Sequence, residues 1–427
     1  MFHPQVIAQR ETALLADPRF AATFPQGLPR SSILVSQANA KTLASLVNAK
    51  GELKRALAPD ESAFITAERL VCKIDYRYFA ERYMCIRKAS ATGQRLKALY
   101  PLWQSQELIL NRIAAREQEI RETHDPDGIL LDVLKARQVG CTTLGMSLDL
   151  HRGVTASYQS GLIAADVTEQ SGYMFNDIFL SMLEHLPWYL KPRVLSCTTA
   201  GEKRHVYWGN HSIIRMSSGK SMRGKLQEDS GAKKGNIGRG RTHGLVHLSE
   251  LPSWENPEQI DTGLEPGIPV MQDTLVLFEA NAKGREDWWH QHWKASVARE
   301  GRFVAVFIPW WAEPKKYSLP APPGWSPTPT TLAHARRAEA IGPEFVGHAV
   351  TLTRDQLYWY ERRKGAMAKA NRLAEFLEEY PAEPEEAFQR AGRSIFSADE
   401  IDRLQALARP LTAAYEFDPD ALAQVGG

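Results

Sequence analysis

Nine consecutive residues, Lys135-Ala136-Arg137-Gln138-Val139-Gly140-Cys141-Thr142-Thr143, hold the chain's most chemically suggestive grouping: two cations, a glycine and two hydroxyl residues. A glycine ahead of a helix lets backbone N–H groups approach an anion, a hydroxyl just beyond it can hold Mg²⁺, and a cation neutralises phosphate. Against the phosphate-loop pattern G-x-x-x-x-G-K-[ST], Lys135 stands at the first glycine and Cys141 at the lysine. Thr142 and Thr143 keep the hydroxyl position, and Lys135 and Arg137 can supply charge from the other limb. A second grouping is Ser249-Glu250, which ends the apolar run Gly244-Leu-Val-His-Leu248. A carboxylate at such a strand tip faces a ligand crevice and can polarise an attacking water. Ser249 occupies the place of the usual Mg²⁺-associated aspartate. A third is Glu279-Ala280-Asn281, followed by Gly284 at the end of Thr274–Phe278.

The elements that position these groups read from the apolar pattern. Gly128–Leu134 has the length and branching of a buried strand, and Leu144–Leu150 continues as a helix. Gly161–Ala165, Arg193–Cys197, Ser212–Met216, Thr274–Phe278 and Gly301–Ile308 read as further strands among helical stretches, which predicts an α/β layered sheet, mostly parallel. Upstream, Cys72–Tyr83 is aromatic at helical spacing. Pro101-Leu-Trp-Gln-Ser-Gln106 opens an amphipathic helix reaching about Glu119. The amide of Gln106 has the donor and acceptor that would read an adenine edge. His290 and His292, two apart on a helix, face different directions and make a poor metal pair.

The bulk numbers exclude several classes. Of 427 residues, 43% are hydrophobic and 24% charged, with a net charge of +2, as in an ordinary globular protein. No apolar run is long enough to span a bilayer, and Met-Phe-His-Pro-Gln lacks the regions of a signal peptide, so an intracellular protein is expected. The cysteines, Cys72, Cys85, Cys141 and Cys197, form no CxxC pair and suggest neither zinc nor a disulfide framework. Affinity for an acidic polymer would come from a local patch. Arg215, Lys220, Arg223, Lys225, Lys233, Lys234, Arg239 and Arg241 gather against Glu228 and Asp229 in a glycine- and serine-rich stretch.

In this order the motifs resemble the large terminase subunit of tailed double-stranded DNA bacteriophages. Arg137-Gln-Val-Gly-Cys-Thr-Thr143 is similar to that family's R-Q-x-G-K-T loop (Walker A), in the variant whose lysine moves to the front. Pro101-Leu-Trp-x-x-Gln106 stands where the family has its adenine-reading glutamine. Leu245-Val-His-Leu-Ser249-Glu250 resembles its catalytic Walker B strand, and Glu279-Ala-Asn-Ala-x-Gly284 its coupling motif. Trp310-Trp311 and Glu379-Tyr-Pro-x-x-Pro-Glu-Glu-Ala-Phe388 are similar to its closing elements.

The resemblance implies a P-loop NTPase of the additional-strand, conserved-glutamate class, with a mostly parallel central sheet flanked by helices and a small helical lid. ATP would lie on Lys135–Thr143 with Gln106 near the adenine. Mg²⁺ would be held by Thr142, Ser249 and Glu250, while Glu250 and Arg137 would be catalytic. Glu279, Ala280 and Asn281 would couple the γ-phosphate to the lid, and Arg223, Arg239 or Arg241 would reach a neighbouring subunit. It further implies a homo-oligomeric ring on a procapsid in the host cytoplasm. The ring would work with a portal protein and a small terminase subunit on double-stranded DNA, and no membrane. The expected boundaries are a helical extension at 1–70, the ATPase core at 71–317 and an irregular, proline-rich connection at 318–350. A lid at 351–414 and a frayed tail at 415–427 follow. No carboxylate cluster of the family's nuclease is found, so nuclease activity is not expected, and the chain reads as an isolated motor domain in preference to a member that lacks the nuclease. Another P-loop translocase or helicase, or a catalytically degenerate scaffold, fits the same residues.

Overall fold

In the computed structural model the described residues are 52–388, apart from 91–92, 100, 202–203, 220–241 and 286, together with 43 and 45–48. Helices α1 (Pro59–Ile74) and α2 (Tyr76–Tyr83) lead the chain in. They part at Asp75, whose extended backbone ends the first and whose carboxylate accepts the Tyr78 N–H to cap the second. A hairpin, β1 (Cys85–Ser90) and β2 (Gly93–Ala98), precedes α3 (Gln104–Thr123). The core continues with β3 (Ile129–Lys135), α4 (Cys141–Thr155) and β4 (Ser160–Ala165). A π turn at Met174–Phe179 joins α5 (Thr168–Tyr173) to α6 (Leu180–His185). Then come β5 (Val194–Thr198), β6 (His205–Trp208), β7 (Ile213–Ser218), β8 (Leu245–Ser249) and β9 (Leu275–Ala280). The core closes with α7 (Trp288–Ala298) and β10 (Val304–Ile308). Helices α8 (Pro329–Val346), α9 (Arg354–Lys369), α10 (Leu373–Glu379) and α11 (Pro384–Ala387) follow β10 as a helical region, termed the lid below.

Eight strands make one sheet in the order β10-β3-β9-β8-β4-β7-β6-β5. From β10 to β7 every neighbouring pair is parallel, and β6 and β5 join antiparallel at the edge. Strand β9 lies between β3 and β8, so the strand leading into the glycine loop and the strand ending in Ser249 flank an additional strand. Because crossover helices cover both faces, central strands are apolar along their whole length. In β3 all seven residues are buried. Ile129, Leu131 and Val133 belong to the core under α1 to α4, while Leu130 and Leu134 join Val246, Phe278, Trp289, Trp293 and Phe307 on the other face. One polar residue breaks this run: buried Asp132 accepts from His292 Nδ1 at 2.7 Å and from the Ser296 hydroxyl of α7.

Three expectations change. Residues 318–350 are not irregular throughout, since α8 occupies Pro329–Val346; Pro329 takes the first helical turn, where its missing N–H costs nothing, and Thr328 caps it. A boundary at residue 70 would cut α1, and most of the preceding stretch lies outside the described residues, as do 389–427. The aromatic segment Cys72–Tyr83 is two helices, broken at Asp75.

Candidate active site

The candidate residues meet at the carboxyl ends of three adjacent parallel strands, where α/β sheets place their ligand crevice. Lys135 ends β3, Ser249 ends β8, and Glu279 and Ala280 end β9 with Asn281 just beyond. Register sets Ser249 beside Glu279 and Leu134 beside Ala280. Between β3 and α4 the loop turns sharply, with Gln138 at φ 57° and Gly140 at φ 80°. A Cβ on Gly140 would also meet Gln106 Nε2 at 3.0 Å and the Trp103 ring at 3.3 Å, so glycine is needed for conformation and for space. Gly140 caps α4, whose first-turn N–H groups have no intrahelical acceptor and carry the positive end of the helix dipole.

Lys135 is the hub. Its ammonium lies 3.2 Å from Glu250 Oε1, 3.2 Å from Glu279 Oε2 and 3.1 Å from Asn281 Oδ1. Burial opposes its charge, but Glu250 and Glu279 outweigh that and push its pKa above the usual lysine range. The buried carboxylate of Glu279 also accepts the hydroxyls of Thr142 and Ser249, both at 2.7 Å on Oε1. Burial alone would raise its pKa; Lys135 first, then His247 and Thr142, bring it down to about 2. His247 Nε2 stands 3.6 Å from Glu279 Oε1, an ion pair beyond hydrogen-bond reach, and His247 Nδ1 lies 3.1 Å from Asp149 Oδ2. Burial works against the imidazolium, yet Asp149 and Glu279 raise His247 to about 9. Glu250 is half-buried in a left-handed conformation, φ 58°, with its N–H donating to Glu279 O at 3.0 Å. Such a backbone costs a non-glycine residue about 1 kcal/mol and is typical of functional sites. Asn281 Nδ2 is buried with no acceptor among the described residues.

The remaining loop residues have structural partners. Gln106 is engaged at both amide atoms: Oε1 accepts the Trp103 N–H at 3.0 Å and Nε2 donates to Gly140 O at 3.1 Å. Arg137 pairs with Glu379 at the end of α10, and its backbone N–H donates to Glu379 O at 2.8 Å. The Tyr317 hydroxyl donates to Arg137 O, and Lys316 Nζ to Gln138 Oε1 at 3.1 Å, so the segment after β10 braces the loop. Val139 and Cys141 are buried, burial raising the Cys141 thiol, and Thr143 is half-buried on the first turn of α4. Arg223, Arg239 and Arg241 lie outside the described residues.

Two site residues escaped the sequence reading, His247 and Asp149. Their signals were present as a histidine inside the apolar run of β8 and an acid on the inner face of α4. The facing Gly145 completes them, since a Cβ there would come within 2.3 Å of His247 Cε1.

A glycine loop between strand and helix, a glutamate at the tip of the second strand over and one added strand between them fit the mostly parallel α/β sheet expected of a P-loop NTPase. No family model and no curated protein matches the sequence. Among solved structures, the chain is similar to the large terminase ATPase domain of a Thermus phage. The identity is 15% over 63% of this chain and 92% of that one, with TM-scores of 0.39 for an arginine-to-alanine mutant and 0.37 in a second structure. It is also similar to the large terminase of a thermophilic bacteriophage in complex with ADP, at 13% identity over 43% of this chain and 40% of that one, TM-score 0.29.

Proposed function

We propose that this chain binds and hydrolyses ATP and is the motor part of a viral large terminase, moving double-stranded DNA into a procapsid. The observation that carries the hydrolytic reading is the buried ammonium of Lys135, shared by Glu250, Glu279 and Asn281 at the foot of the glycine loop. The donor set fits a nucleotide with Mg²⁺: a cation, the hydroxyl of Thr142, the first-turn N–H groups of α4 and the unmatched Asn281 Nδ2. Thr142, Ser249 and Glu250 would help hold Mg²⁺, which would supply neutralisation of phosphate charge. Lys135 draws phosphate oxygens toward the loop, and Glu250 orients a water and takes its proton. Arg137 keeps the loop against the lid through Glu379, and in that position transmits movement of the loop to α10. Arg223, Arg239 or Arg241 completes the site of a neighbouring subunit in a ring. Docking on a portal protein with a small subunit in the host cytoplasm belongs to the same reading, on the strength of the motif order in the sequence.

The test is ATP hydrolysis against protein concentration, beside nucleotide binding, for the wild type and Glu250→Gln. The expected rate per chain rises with concentration, and Glu250→Gln keeps ATP affinity while losing turnover by roughly 10²–10⁴-fold. Unchanged turnover would remove Glu250 from its role. Ser249 and Cys141, standing where an aspartate and a lysine are usual, favour a second reading, a scaffold without catalysis; absence of binding at millimolar ATP would establish it. DNA affinity is expected to fall steeply with salt, because phosphate contacts release counterions.

A further inference from the structure

In phosphate-loop sites Mg²⁺ is held by the loop hydroxyl and an acidic residue on the strand that here ends in Ser249. Mg²⁺ takes hard oxygen ligands and generally one or two carboxylates besides phosphate. A serine hydroxyl offers no charge. Strand β9, inserted between β3 and β8, brings a carboxylate to the same place. Glu279 is paired in register with Ser249, and its Oε1 accepts both Ser249 Oγ and Thr142 Oγ1 at 2.7 Å. Its Oε2 is buried, accepts no hydrogen bond among the described residues, and faces only the Lys135 ammonium at 3.2 Å. His247, tied to Asp149 at 3.1 Å, stands with Nε2 3.6 Å from Glu279 Oε1.

We propose that Glu279, rather than Ser249, is the anionic group through which this chain holds the Mg²⁺ of a bound nucleoside triphosphate, with Ser249 acting as the donor that aims it. The proposal rests on the ATP-binding reading above and changes the part assigned to Glu279 from coupling alone to metal binding. Phosphate oxygens compete for the Lys135 ammonium, and the carboxylate it now balances is then available to a dication. The two carboxylates would divide the work: Glu250, half-buried, toward water, and Glu279, fully buried, toward the metal.

Calorimetric titration of the whole chain with a non-hydrolysable ATP analogue, in EDTA and in Mg²⁺, tests this without turnover. The wild type is expected to bind in EDTA and more tightly with Mg²⁺. Glu279→Gln, which frees the Lys135 ammonium for phosphate, is expected to bind in EDTA at least as tightly as the wild type and to lose about 10–100-fold of the affinity gained with Mg²⁺. The exchange variant Ser249→Asp/Glu279→Ser keeps one carboxylate and one hydroxyl in the pair, and is expected to recover the Mg²⁺ gain. Circular dichroism verifies that each variant is folded, and the exchange variant decides the matter if Glu279→Gln is not. A full Mg²⁺ gain in Glu279→Gln, or none in a folded exchange variant that binds in EDTA, overturns the assignment. A wild type that binds no nucleotide at all overturns the ATP reading itself and the metal assignment with it, a result distinct from loss of the metal effect alone.

Discussion

Lys135 and Arg137 stand two residues apart in one loop, yet the surroundings give their charges different weights. Lys135 is 5% exposed, with fully buried Glu279 as a partner. Arg137 has a side chain 52% exposed and pairs with Glu379 at the lid. Removing one member of a buried pair leaves a desolvated charge and costs about 3–5 kcal/mol, whereas a solvent-screened pair is worth about 0–1 kcal/mol. Lys135→Met is therefore expected to lower unfolding free energy in urea by about 3–5 kcal/mol, and Arg137→Met by no more than about 1 kcal/mol. Equal losses would contradict the view that Lys135 is the electrostatic keystone of the apo site. The sequence could place both cations beside a phosphate, because loop and charge are local properties. It could not tell which one turns inward, since Glu379 lies 242 residues from Arg137.

At the scale of elements, α4 and β8 are locked by a fit between absence and bulk. The position opposite His247 is Gly145, where a Cβ would stand 2.3 Å from Cε1, 2.7 Å from Nε2 and 2.8 Å from Nδ1 of a ring held by Asp149. Alanine gains about 1 kcal/mol of helix propensity over glycine. Overpacking a pinned, buried ring costs about 1–3 kcal/mol and the fully buried ring has little room to give. Gly145→Ala is accordingly expected to destabilise the protein by up to about 2 kcal/mol in urea melts, net of that gain. In a His247→Ala background the same change should become neutral or stabilising, the signature of direct coupling. A cost that persists without the ring would refute the contact as its cause. The core strands β3, β8, β9 and β10 were legible because full burial writes itself as an apolar run. The hairpin β1–β2 was not, since its short sequences, such as Gly93-Gln-Arg-Leu-Lys-Ala98, are polar and pair only in tertiary context, and β6, His205-Val-Tyr-Trp208, is only four residues long. For the same reason Glu279 was read as part of a linear motif, while its bonds to Thr142 and Ser249 depend on strand order.

For the whole molecule, the sheet core and the lid each bury an uncharged imidazole. His151 on α4 lies with Nε2 2.6 Å from Cys72 O and its ring against Tyr76 and Phe79. His334 on α8 stacks on Tyr360 at 3.9 Å and on Trp310 at 6.0 Å. Burial is the main cause that lowers both to about 3, with Arg152 opposing protonation at the first and Lys364 and Arg337 at the second. The unfolded chain takes up those protons near pH 6.5, so their contribution is present above about 6.5 and is lost as pH falls toward 3. Each histidine adds up to about 1.4 kcal/mol per pH unit over that window, or about 2.7 for the two. On the alkaline side, His292 works in the other direction. Burial disfavours its charge, but Asp132 and Glu265 raise it to about 10, so the stability it contributes is complete below about 6.5 and lost as pH rises through 10. The thermal midpoint is thus expected to peak near neutrality and to fall on both sides. His334→Phe preserves the stack with Tyr360 and removes the titrating group, which should lower the acid slope by up to about 1.4 kcal/mol per pH unit while leaving the alkaline limb in place. Scanning calorimetry from pH 4 to pH 10 on the two proteins decides it: an acid limb of unchanged slope in His334→Phe would show that protonation of the lid histidine is not what the fold resists.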